Sequence, residues 1–286
     1  MNRSFNIEFD KKSQQHSEQE LRVVATNNYV ESIEVPSNND KPLISLVIPV
    51  LNEEIILEKT LNVYTKLLRK TYNIELIVSD GGSKDKTVEI AKRFSDKLVV
   101  HDRPYPQTIA EGRNRGSELA SGDILVFING DTIPEDPDYF FSFINLWACG
   151  ITEYSNCGAI ATAVTAPKDE MQFKDKMFYS AHNFYVKTLN SLGIGMARGE
   201  CHIIKSSFFK QVGGYTNKII AGEDFDLYRR LAHITKIAYI NKLRVVESPR
   251  RFKKDGYIKT LFRWVINSLS VMLFGKSYSD KWEAVR

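Results

Sequence analysis

The chain of 286 residues has few cysteines, no long apolar run and no strong charge of either sign. Its three cysteines, Cys149, Cys157 and Cys201, lack metal-ligand spacing and form no disulfide framework, so they read as buried thiols in a reducing compartment. No stretch reaches the roughly 18 uncharged apolar residues of a membrane-spanning helix. The opening MNRSFNIEFDKKSQQHSEQE has no apolar core of the kind a secretory signal needs, so a cytoplasmic setting is expected. A formal charge of +4 is too small to point to nucleic acid. Two glycine-rich phosphate patterns are also missing. Without GxxxxGK followed by Ser or Thr there is no P-loop, and without GxGxxG a dinucleotide fold is disfavoured.

What is there is an ordinary globular composition, 43% hydrophobic and 26% charged. Residues 1–40 hold four basic and seven acidic side chains with little apolar periodicity, and read as a mobile arm with a short strand around Leu21–Ala25. From Lys41 strands and helices alternate. Leu43–Ile48 is a strand that Pro49 ends, and Asn52 caps a helix carrying Leu57, Leu61, Tyr64, Leu67 and Leu68. Ile74–Val78 and Leu98–Val100 are the next strands, and Gln107–Ala120 is a helix. Ile124–Ile128 is an uncharged run bounded by Ser121-Gly122-Asp123 and Asn129-Gly130-Asp131, hence a buried strand. Such alternation implies an α/β fold with a mostly parallel sheet flanked by helices, and right-handed crossovers bring Pro49, Asp80 and Asp131 to one edge.

That edge is where open α/β sheets bind ligands. Asp131 beside Gly130 suits a hard cation bridging phosphate oxygens, or is a solvated turn aspartate. Asp80, before two glycines, can accept from a base edge or ribose hydroxyls, or simply closes its turn. Arg113 and Arg115 can meet a diphosphate, or pair with Glu111 and Glu118. Glu223-Asp224 reads locally as a helix N-terminal pair that favours the dipole. His182 can touch an acceptor or is a structural histidine, His202 reads as structural, and the aromatic stretch Met171–Leu192 reads as a helix serving core or contact face.

The ordered set LISLVIPVLNEE, IVSDGGSKDKT, EGRNRG and GDILVFINGDT resembles the nucleotide-sugar domain of the family 2 glycosyltransferases. RGECHIIK, then FKQVGGY and GEDFDL, continue that resemblance, which covers about residues 43–230. It implies a GT-A fold: a Rossmann-like, mostly parallel sheet with an acceptor-side subdomain. Residues 41–240 would form the domain, with a nucleotide-sugar half over 41–134 and an acceptor half over 135–240. The resemblance further implies inverting transfer from a UDP- or GDP-sugar to a saccharide or lipid-linked acceptor hydroxyl. Pro49, Val50, Asn52, Glu53, Asp80, Gly81, Arg113, Asn129 and Gly130 would bind the nucleotide-sugar. Asp131 would hold Mn2+ or Mg2+, and Asp224, with Glu223 beside it, would be the general base. The departure is Asn129 where the family's DxD motif begins with Asp, which implies weaker metal binding or dependence on one carboxylate. A non-catalytic nucleotide-sugar binder and transfer to a polyprenyl phosphate are the alternatives.

From Lys242 the tail holds eleven basic and four acidic residues. Arg250-Arg251-Phe252-Lys253-Lys254 precedes a helical pattern over Tyr257–Phe274, so 241–286 reads as a basic, amphipathic helical extension. Residues 250–274 suit peripheral contact with the cytoplasmic membrane face, or packing on the body or on a second copy in a homo-oligomer. Thr260-Leu261-Phe262-Arg263-Trp264 keeps only the Arg-Trp of the QxxRW motif, which argues against a processive synthase.

Overall fold

A computed structural model describes residues 6–7, 23–24, 41–248 and 256–279. Within the first forty, β1 (Asn6–Ile7) pairs antiparallel with β2 (Val23–Val24), inside the strand expected around Leu21–Ala25; the mobility expected of the arm lies outside the described residues. So does the basic run Arg250–Lys254.

The first half follows the alternation. β3 (Ile44–Val50), α1 (Leu57–Asn62), α2 (Lys66–Tyr72), β4 (Ile74–Asp80), α3 (Thr87–Phe94), β5 (Lys97–Val100), α4 (Ile109–Glu118) and β6 (Ile124–Ile128) come in turn. The second half is β7 (Thr132–Pro134), α5 (Pro137–Ala148), β8 (Cys157–Thr165), α6 (Phe173–Ser191), β9 (Cys201–Lys205), α7 (Ser206–Gln211), α8 (Glu223–Ala232), β10 (Lys236–Glu247) and α9 (Tyr257–Phe274). One eight-stranded sheet joins them in the order β5-β4-β3-β6-β9-β8-β10-β7. β5, β4, β3 and β6 are mutually parallel, β9 is antiparallel to both β6 and β8, and β7 is antiparallel to β10. Neighbouring residues point to opposite faces. Leu46, Val126 and Ile160 therefore join Phe141 and Trp147 in one core, while Val47, Phe127 and Ile204 join Phe209 and Tyr228 in the other.

Several local expectations are corrected. Pro49 does not end its strand, because β3 runs on to Val50. The Val50 carbonyl takes the Gly81 N–H on the β4 side, so Pro49 faces the β6 side, where pairing stops at Val47–Phe127 and no N–H is needed. Asn52 caps no helix. Its φ is 50°, and its Oδ1 accepts from the Lys84 N–H at 2.7 Å, tying the loop after β3 to the loop after β4. The single helix expected through Leu68 is two, because the Thr65 side chain caps a fresh start at α2 by accepting from Leu68, and Leu67 is exposed. Cys149 is exposed at the end of α5. β10 runs to Glu247 through the boundary expected at 240/241.

Gly195, in the loop after α6, has φ +84°, and a Cβ there would stand 2.2 Å from the Tyr228 carbonyl oxygen on α8. Gly195→Ala is therefore expected to cost about 1–3 kcal/mol, read from the urea midpoint.

Candidate active site

Parallel register sets the site's floor. Val50 lies level with Asp80, and β6 ends beside them, so the loops after β3, β4 and β6 emerge together. Gly130 sits where these loops meet, and a Cβ there would press on Val50 Cγ1 at 3.0 Å. The Asn52 N–H donates to Ser83 Oγ and the Glu53 N–H to Thr87 Oγ1. A cavity of about 850 Å³ opens over this floor, with Pro49, Val50, Glu53, Gly81, Gly130 and Asp131 in its lining. Asp80 is fully buried instead: its carboxylate accepts from the Gly82 and Ser83 N–H groups and from Ser83 Oγ, and it shapes the loop from below.

Because β9 runs back beside β6, it brings Gly199 and Glu200 next to Asn129, whose N–H donates to the Glu200 carbonyl. Gly222, at φ 88°, then starts α8 with Glu223 and Asp224 in its first turn. Arg113 on α4 joins all of these. It is 1% exposed, and its Nη1 donates to Glu223 Oε1 at 2.8 Å. Its Nη2 donates to Asn129 Oδ1 at 3.0 Å and to the Gly199 carbonyl. The Tyr215 ring lies 5.3 Å from the guanidinium. Arg115, by contrast, reaches His101 Nδ1. Asp224 faces the same cavity, and its Oδ1 accepts from the Phe225 N–H. Burial first, and the neighbouring Glu223 second, push its carboxyl up to about 7, while Arg113 pulls the other way. A carboxyl poised there can exchange a proton near neutral pH.

The far wall holds residues that motif reading missed. Arg198 donates to Glu200 Oε1 and Oε2 and to Glu247 Oε1, and lies between the Tyr179 and Trp264 rings. Burial, then the charge of Glu200, push the Glu247 carboxyl well above the usual carboxylate range. For Glu200 burial acts upward too, but Arg198 and hydrogen bonds outweigh it and hold the group at about 2. His182 lines this wall beside Trp264, and burial keeps its pKa low, at about 3. The signal for Glu247 was the extended run Lys236–Glu247, which ends on an acid level with the cavity. His202 is structural: it is buried, with Nδ1 hydrogen-bonded to the Tyr215 hydroxyl.

Among the described residues no cluster of three or more His, Cys, Asp or Glu forms a metal cage. Mg2+ and Mn2+ need less when phosphate shares the coordination, since one or two carboxylates then suffice. Asp131 offers one on the cavity wall, whereas Asn129 Oδ1 already accepts from the Arg113 guanidinium, whose charge disfavours a cation at that oxygen. The residues fit a cation that comes with a diphosphate.

Residues 45–147 match Glycosyl transferase family 2. Glycosyltransferase AglE of Haloferax volcanii is 29% identical over 200 residues, 66% of this chain and 61% of that protein. An uncharacterized glycosyltransferase of Haemophilus influenzae is 39% identical over 93 residues, 32% of this chain and 36% of that one. The chain thus spans less than two thirds of the length of these relatives. Among solved structures, mannosyltransferase PcManGT of Pyrobaculum calidifontis, in complex with GDP-Man and Mn2+, superposes with a TM-score of 0.60 at 17% identity, covering 82% of this chain and 64% of that one. Mannosyl-3-phosphoglycerate synthase of Rubrobacter xylanophilus gives 0.55 at 14% identity, covering 82% and 75%. With the motifs in order, the sheet topology and these relatives in agreement, residues 45–147 carry a glycosyl transferase family 2 match, the chain is similar to glycosyltransferases, and it has the GT-A fold.

Proposed function

We propose that the protein transfers a sugar from a nucleoside-diphosphate sugar to an acceptor hydroxyl of a glycan, glycolipid or lipid-linked saccharide, inverting the anomeric centre. One observation carries the reading: a single cavity gathers the Asn129–Asp131 turn and the Glu223–Asp224 pair around one buried arginine. The anomeric carbon must lose a diphosphate on one side while an acceptor hydroxyl sheds a proton on the other. Asp224 accepts that proton, and Arg113 keeps Glu223 turned aside in an ion pair. The loops after β3 and β4 hold the nucleoside, Asp80 acting through the turn it shapes.

The charge balance supports a divalent cation and a neutral acceptor. Among the described residues lining the cavity, Glu53, Asp131, Glu200 and Glu223, beside Asp224 and Glu247 whose carboxyls hold their protons more tightly, face only two guanidiniums, Arg113 and Arg198, both paired with glutamates. A diphosphate dianion gains little from such a wall unless it brings its own cation. Mn2+ or Mg2+ held at Asp131 would supply neutralisation of the leaving diphosphate. A polyprenyl phosphate would bring a further negative charge to the same wall, which favours a hydroxyl acceptor.

Incubation with UDP-, GDP- and dTDP-sugars, with Mn2+, Mg2+ or EDTA, tests this. Binding and slow hydrolysis of one donor are expected with metal and lost with EDTA or in Asp131→Ala. A folded protein that binds no donor under any of these conditions would overturn the reading.

A further inference from the structure

We infer that α6 and α9 together form a docking face for an anionic lipid bilayer, with α6 supplying the larger part. On α6, Phe173, Met177 and Phe184 are spaced four and seven residues apart, so they fall on one helical face. That face is outward: they are 78%, 60% and 70% exposed, while Tyr179, His182 and Val186 point inward. Large side chains so exposed and aligned on one helix mark an interaction site. α9 lies alongside. Phe178 stacks 4.7 Å from the Tyr257 ring, the Tyr257 hydroxyl donates to Asp175, and His182 lies 5.1 Å from Trp264. On α9, Leu261, Phe262 and Leu273 are exposed in turn.

The charges around these apolar groups choose the occupant. α6 carries Lys174, Lys176 and Lys187, all exposed, and α9 carries Lys259 and Arg263. The only acid on either helix is Asp175, which is buried and bonded to Tyr257. Exposed phenylalanines and lysines on one helix, with no exposed carboxylate on either helix and with Asp169 and Glu170 exposed only in the turn before α6, fit a surface of phosphate headgroups over acyl chains, where lysine stems lie along the apolar layer and their ammonium groups reach the phosphates. A second copy fits poorly, because a two-fold contact sets the same cations against each other. No helix among the described residues is long and apolar enough to cross a bilayer, so the pair would lie on it. The inner sides of both helices line the cavity, through His182 on α6 and Trp264, Asn267 and Ser268 on α9. Docking would therefore hold the acceptor side of the cavity at the lipid surface, within reach of an acceptor still anchored there.

Vesicle flotation tests this, with phosphatidylcholine alone and mixed with phosphatidylglycerol. The protein should float with the anionic vesicles only, and less as salt rises. Replacing Lys174, Lys176 and Lys187 by Gln should lower the affinity roughly a hundredfold, at about fivefold per basic group. Phe173→Ser combined with Phe184→Ser should abolish flotation. Both variants should keep the wild-type melting temperature and donor hydrolysis in solution, since these residues lie outside the cavity. The inference is overturned if wild-type protein ignores anionic vesicles, or if the variants float equally well. It is equally overturned if light scattering shows a dimer that the Phe variant splits, because the face would then belong to a second copy. None of these outcomes touches the donor assay, which judges the glycosyltransferase reading separately.

Discussion

Arg113→Ala is expected to destabilise the protein by about 3–5 kcal/mol, because it leaves the Glu223 carboxylate buried without its partner. For a chain of this size that corresponds to a melting temperature lower by roughly 6–20 °C. Arg113→Lys should recover little. One ammonium cannot reproduce a fork that reaches Glu223, Asn129 and the Gly199 carbonyl at once. Pairing Arg113→Met with Glu223→Gln should be milder than Arg113→Ala, since no unpaired charge remains. Calorimetry of the three variants decides the matter. A loss below about 1 kcal/mol in Arg113→Ala would mean that the three contacts are incidental. Arg113, expected beside the diphosphate, also bridges Glu223, Asn129 and the Gly199 carbonyl.

Asp224→Asn should lower kcat for sugar transfer by about 10²–10⁴-fold while donor binding stays unchanged, as removal of a general base would. The pH profile gives a second readout. Proton acceptance needs the ionised carboxylate, so transfer should fall below about pH 7 and level off above it. Glu223→Gln removes one of the influences that raise this group, and should move the acid limb to lower pH. Stability runs the opposite way. The folded pKa is raised above the ordinary aspartate value, so the folded state binds the proton more tightly than the unfolded chain does. This contribution is fully present below about pH 4 and is lost as pH rises through about 7. Thermal melts of wild type between these limits should show that decline, and Asp224→Asn should show less of it. A flat transfer rate across the range, with Asp224→Asn fully active, would remove Asp224 from the mechanism.

Much of residues 41–134 was legible because their signals are local. Uncharged runs such as Ile124–Ile128 sit between turn residues, and parallel alternation forces their ends to one edge. Residues 135–240 were less so. β8, CGAIATAVT, is built of small residues that carry little strand signal, although it is buried along nearly its whole length. β9 inserts antiparallel between β6 and β8, a placement fixed by tertiary packing and not by spacing. The cluster of Arg198, Glu200 and Glu247 joins residues nearly fifty positions apart, so no motif window contains it. Asp80 shows the converse. Its position was legible, but which groups its oxygens accept from depends on how the Gly82–Ser83 backbone folds back. The split of one expected helix into α1 and α2 turned on a single cap at Thr65.

The antiparallel β9 also constrains how the chain comes off the ribosome. β6 lies between β3 and β9, so until Cys201–Lys205 has emerged its second edge is unpaired. That edge, ILVFI, has no charge, proline or bulge to discourage a neighbouring chain. The nascent first half is thus an incomplete sheet that must wait for some seventy more residues, a few seconds to about fifteen at ordinary synthesis rates. A fragment ending after α5 should accumulate as aggregate, and one ending after β9 should do so less, since β6 is then covered and only β8 still waits for β10, which makes the later strands the escorts of the earlier ones during synthesis.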